Sequence, residues 1–238
     1  MKYLSTLCAV TFAIGTSATH AAFTINSSTG LFTPSFRGNP NTSYFGWLGG
    51  SGNPGFDSNL TDDITVAGEV INNPTPNLGT APSIWGLVQQ EQADVLTSTN
   101  NIYNLTVAPV HFDLTTSSTG GPGGFTTIII QGRTAFGPFP SNSAISFGTV
   151  EGINPSFAIG NNAAGGAQFW AKYEIPGYSS SYTIPFELTQ TSVSITQMTV
   201  DTQWSASEYA PDTAVVPEPV SLGTLLASTA LVLRRRRI

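Results

Sequence analysis

Apolar and polar side chains alternate in short runs along most of this chain. A two-residue period marks half-buried strands, because successive Cβ atoms of a strand point to opposite faces of the sheet. Phe169, Ala171, Tyr173 and Ile175 present one apolar face, while Lys172 and Glu174 point the other way. Comparable runs occupy 101–107, 110–114, 125–131, 143–147, 182–188 and 192–200. Turn-forming stretches separate them: 120–124, Asn161-Asn162 and Gly165-Gly166, where a positive φ carries little steric cost. Thr126 to Ile130 is β-branched throughout and predicts a central strand covered on both faces, as two packed layers would provide. Ser83 could cap a helix in which Ile84, Leu87, Val88, Glu91 and Val95 repeat, but Trp85 and Val88 suit a strand, and a strand followed by a loop is expected there. The glycine-rich, aromatic stretch 44–56 reads as a long ordered loop carrying Trp47. The expectation is an all-β domain at 22–212, a β-sandwich of jelly-roll-like or immunoglobulin-like type, flanked by an N-terminal signal peptide and a short C-terminal hydrophobic helix.

Charge narrows the function. Between Phe23 and Val216 three cations, Arg37, Arg133 and Lys172, stand against thirteen carboxylates, a net charge of −10 that repels phosphate backbones. Nucleic acid is therefore not an expected partner. The one cysteine, Cys8, lies in the segment expected to be removed, so the mature domain relies on its core rather than on disulfides.

The two ends read as signals. Residues 1–21 begin with Lys2, continue through an apolar run from Leu4 to Ile14 and reach small residues at Ala21-Ala22. This is the order of a secretory signal. Eleven residues of helix span about 16 Å, short of an apolar bilayer thickness of about 30 Å, so cleavage after Ala21 or Ala22 is expected rather than anchoring. The segment 213–238 holds Pro217-Glu218-Pro219, an apolar stretch at about 220–233, then Arg234, Arg235, Arg236 and Arg237. The fourteen residues of this stretch would make a helix of about 21 Å, marginal for a span but extended by arginines that snorkel and stay cytoplasmic.

This order of Pro-Glu-Pro, short apolar helix and terminal arginines resembles the PEP-CTERM sorting signal of Gram-negative-type bacteria, over about a tenth of the chain. The resemblance implies recognition of Pro217, Glu218, Pro219 and Arg234 to Arg237 by an exosortase, a membrane-embedded cysteine transpeptidase-like enzyme. It implies a membrane partner through the C-terminal helix before processing, then release or transfer to the cell surface or extracellular matrix, in a setting where exopolysaccharide is often made.

Chemistry-bearing motifs are sparse. Gly50-Ser51-Gly52-Asn53-Pro54-Gly55 matches a dinucleotide-binding glycine pattern, but Pro54 and the polar residues after it deny the helix such a site needs. Asp57, Asn59, Asp62 and Asp63 cluster oxygen ligands suited to calcium, yet Asp62 stands where an EF-hand has its glycine and Gly68 where it has its glutamate. His111 is the one histidine beyond the signal segment, so any Ser-His-Asp relay must use it. Glu174 and Glu187 could serve a glycosidase only if they faced each other across a cleft. Trp47, Trp85, Trp170 and Trp204 could stack on sugars or simply fill a core. Asn26, Asn41, Asn59 and Asn104 begin N-x-S/T triplets, chance matches in a chain rich in Ser and Thr. The expected function is non-enzymatic and cofactor-free: a structural or adhesive surface protein. The alternatives are a polysaccharide- or calcium-binding module and a carboxylate-dependent glycosidase.

Overall fold

The computed structural model describes residues 31–50, 53–56, 71–90, 95–96, 100–104, 108–135, 144–162 and 166–211. The expected signal segment, the Asp57 to Asp63 cluster and the sorting tail lie outside them. All regular structure among the described residues is β, and no helix there is long and apolar enough to cross a membrane.

Twelve strands follow in order: β1 (Thr42–Leu48), β2 (Leu78–Thr80), β3 (Gly86–Gln89), β4 (Val95–Leu96), β5 (Ile102–Asn104), β6 (Val110–Thr116), β7 (Phe125–Thr134), β8 (Ile145–Phe147), β9 (Ser156–Asn162), β10 (Gly166–Pro176), β11 (Tyr182–Leu188) and β12 (Val193–Ser205). They form two antiparallel sheets. The larger runs β2-β1-β12-β7-β10-β9, with β5 on β12 and β4 on β5; the smaller runs β3-β6-β11-β8. The pairs β1 with β12, β6 with β11 and β7 with β10 are nested in sequence, one inside the next.

Both sheets feed one apolar cluster. Phe45, Trp47, Ile128, Ile130, Phe169, Tyr173 and Val200 come from the larger sheet, and Phe112, Leu114, Ile184 and Phe186 from the smaller. The alternation in β6 and β11 is clean: Val110, Phe112 and Leu114, with Tyr182, Ile184, Phe186 and Leu188, point inward while their neighbours face outward. Phe112 stacks on Phe186 at 4.8 Å across the strand pair.

Thr126 to Ile130 is the central strand that its β-branched run predicts, lying between β12 and β10 and buried throughout. Its second cover differs from the expected one. Ile128 and Ile130 face the shared core, whereas Ile129 packs outward with Trp170, Phe36 and Ala210, so chain segments rather than a further sheet close that face. The Phe32 amide donates to Gln131 Oε1 and Gln131 Nε2 donates back to Phe32 O, fixing the first segment. The Ala210 amide donates to Thr127 Oγ1 and Lys172 Nζ donates to Ala210 O, fixing the second.

The strand preferred over a helix near Trp85 is present as β3. The loop expected over 44–56 is shorter than that: Thr42–Leu48 is strand β1, paired with β12 along its whole length, and irregular chain is found only at 49–50 and 53–56 among the described residues. Gly46, which suggested a loop, answers to close backbone approach, because a Cβ there would lie 2.3 Å from Met198 O. Gly46→Ala must push β1 off β12 and is expected to lower stability by about 1–3 kcal/mol, read as a fall in the urea midpoint. An unchanged midpoint would show that the two strands are less tightly apposed.

Candidate functional site

The outward residues of β6 and β11 meet because these strands pair in a defined register. Glu187 stands opposite His111 on one side and Ser146 of β8 on the other, while Pro185 stands opposite Asp113. His111 Nε2 lies 3.2 Å from Glu187 Oε2, and Gln90 Nε2 donates to Asp113 Oδ2 at 2.8 Å. A shallow groove of about 200 Å³ runs between them, lined by His111, Asp113, Ser146, Gly148, Pro185 and Glu187.

Proline inside a sheet normally removes a ladder bond. Here Pro185 O accepts from the Gly148 amide, so the missing N–H of Pro185 points to the same side, beyond the end of the three-residue β8. Gly148 keeps the groove floor open, since a Cβ there would fall 2.7 Å from Pro185 Cγ.

The chemistry available follows from the order of the row. Glu187 sits between Ser146 and His111, whereas a hydroxyl-activating relay needs the imidazole between hydroxyl and carboxylate. These three residues therefore do not form one. They offer a hydroxyl, a carboxylate and an imidazole in line beside an apolar floor, a surface for hydrogen bonding rather than for proton relay.

Glu174 and Glu187 are not brought together. Glu174 lies on the outer face of the larger sheet, where Lys172 Nζ contacts its Oε1 at 2.6 Å, and Glu187 lies on the outer face of the smaller one. The acid that shares the groove with Glu187 is Asp113, which sequence spacing did not single out.

The tryptophans are occupied in packing. Trp47 is fully buried and donates to Pro74 O at 2.7 Å; Trp170 packs beside Ile129; Trp85 packs against the main core. Trp204 is half-buried under the glycine-rich turn, where a Cβ on Gly120 would meet its Cγ at 2.0 Å, and its Nε1 donates to Gly123 O.

One buried charge elsewhere is also paired. Arg37 Nε and Nη2 donate to the two oxygens of Asp201 at 2.6 and 2.7 Å, and the guanidinium lies 3.5 Å above the Tyr44 ring. Burial pushes the Asp201 carboxyl above its ordinary value, and Arg37 partly draws it back through hydrogen bonding and charge. Tyr173 is likewise pushed up by burial while its hydroxyl donates to Gly148 O. Among the described residues, no three His, Cys, Asp or Glu side chains converge as a metal-ligand set.

A second concavity, of about 360 Å³, opens where the β10–β11 turn meets the turn at 150–153, lined by Glu151, Ile175, Pro176, Tyr178, Ser179 and Tyr182. Sequence reasoning passed over Glu151 and Tyr178, because nothing local signals that these two turns adjoin. The chain matches no protein-family model, no curated protein and no solved structure.

Proposed function

We propose that this chain is an exported bacterial protein of the cell surface or extracellular matrix, structural or adhesive rather than catalytic, whose C-terminal tail is processed by an exosortase-type enzyme. The observation that carries this reading is the sequence of the tail: Pro217-Glu218-Pro219, an apolar stretch over about 220–233, and Arg234 to Arg237. Pro217 and Pro219 disfavour a helix around Glu218, which suits a sequence that an enzyme grips, and the arginines favour the cytoplasmic side until cleavage. The N-terminal signal, with its eleven-residue apolar run, delivers the domain to the other side.

For the domain between, we favour a jelly-roll-like β-sandwich over the immunoglobulin-like alternative. The nested pairs β1 with β12, β6 with β11 and β7 with β10 fit one long hairpin rolled so that successive pairs fall in alternate sheets. The structural reading is supported by the use of the cations, since Arg37, ion-paired with Asp201, and Lys172, which donates to Ala210 O, each hold a chain segment to the larger sheet. The alternative, a polysaccharide-binding module, draws on the open groove at His111, Asp113 and Glu187. Calcium binding rests on Asp57, Asn59, Asp62 and Asp63 in the sequence alone.

Replacing Pro217 and Glu218 with alanine, in a host that carries the processing enzyme, is expected to trap a full-length membrane-bound form. Immunoblotting of membrane and medium fractions reads the result. Release at unchanged size would remove the tail mechanism.

A further inference from the structure

We propose that the cleft between Glu151 and Tyr178 binds a primary ammonium group, carried on an amino sugar or on an alkyl chain. This inference stands apart from the processing of the tail. Its first support is a backbone anomaly. Val150 and Ile153 exchange both backbone hydrogen bonds around Glu151 and Gly152, which have φ of 50° and 76°. Two consecutive positive φ values define a turn that favours Asn-Gly, because an unbranched glutamate gains nothing from the left-handed region that asparagine tolerates. A glutamate here opposes the local preference and places a carboxylate on the rim of the cleft, and such outliers persist where function uses them.

The second support is what lines the cleft beside Glu151. Neither the Glu151 side chain nor the Tyr178 side chain has a partner among the described residues, although both line the same concavity. Tyr178 is 38% exposed, one of two large hydrophobic residues so exposed among those described. The polar groups of the remaining wall are already satisfied by one another. The Tyr182 hydroxyl donates to Thr126 Oγ1 and accepts from the Ser179 amide, and Ser179 Oγ donates to Ser181 O. The cleft therefore presents one exposed anion without a partner and one partly exposed tyrosine on a hydrogen-bonded frame.

The third support is charge. An anion beside an aromatic face is the pairing that holds ammonium ions, by ion pairing and by cation–π attraction together. No cation of the domain competes for Glu151. Arg37 is bound to Asp201, Lys172 to Glu174, and Arg133 lies opposite Gln168 at the other end of β10 from Pro176. The net charge of −10 between Phe23 and Val216 draws cationic ligands and repels anionic ones.

The test is an NMR titration of the purified protein with three probes: a glucosamine oligomer, the same oligomer N-acetylated, and 1,5-diaminopentane. Saturable shifts of the Tyr178 ring are expected with the glucosamine oligomer, the diamine or both, which tells a sugar ammonium from an alkyl one, and not with the acetylated oligomer. Glu151→Gln and Tyr178→Ala should each weaken binding at least tenfold. Glu151→Asn, which suits the turn better, should abolish binding while raising the thermal midpoint, so loss of binding is separated from loss of fold. Equal binding of the acetylated oligomer, undiminished binding by Glu151→Gln, or no saturation with either ammonium probe would overturn the proposal.

Discussion

Arg37→Ala is expected to destabilise the domain by about 3–5 kcal/mol at neutral pH, and by less in acid. Arg37 makes both hydrogen bonds to an Asp201 carboxylate that is fully buried, and the substitution leaves that charge without its partner. Burial raises the Asp201 carboxyl, while the hydrogen bonds and charge of Arg37 lower it. Deleting Arg37 leaves burial alone, so the folded-state value climbs further above the unfolded one. A carboxyl raised in this way contributes stability below its unfolded value and loses it as pH rises through the folded value. The deficit of the variant relative to the parent should therefore be smallest near pH 4 and grow toward pH 7. Paired urea titrations at the two values measure it, and comparison with the parent cancels the other titrating groups. A deficit that is equal at both, or larger in acid, would contradict the buried-pair account.

Trp47→Ala should cost about as much, roughly 3–5 kcal/mol, out of a total that for single domains is about 5–15 kcal/mol. The indole is wholly buried, meets Phe45 edge-on at 5.6 Å and stacks on Phe56 at 6.0 Å. Its removal opens a cavity between the sheets and orphans Pro74 O, which Trp47 Nε1 now satisfies. Trp47→Phe restores part of the volume but not that donor, so it should fall between parent and alanine variant. Urea midpoints read both. A loss below about 1 kcal/mol for Trp47→Ala would mean that the surroundings collapse into the space.

How far the sequence speaks depends on whether the controlling interaction is local. The strands at Val110–Thr116, Phe125–Thr134 and Tyr182–Leu188 are legible because alternation and β-branching are properties of neighbouring residues. Thr42–Leu48 was obscured because Gly46 is set by its approach to Met198, some 150 residues away in the chain. The row from Ser146 through Glu187 to His111 needs two strand registers to be known, and the adjoining turns at Glu151 and Tyr178 need the packing of β10 against its surroundings. Likewise, the outward apolar side chain of Ile129 announced a cover but could not say that Phe36 and Ala210 supply it. The tail, by contrast, is legible as a motif because its parts follow one another directly.

Phe36 and Ala210, near opposite ends of the described chain, both lie against the back of the larger sheet, while the groove at His111 and Glu187 opens from the smaller sheet on the far side. The described chain thus begins and ends on one side of the molecule, at the back of the larger sheet. The face bearing the His111 row points the opposite way, clear of both of these chain segments.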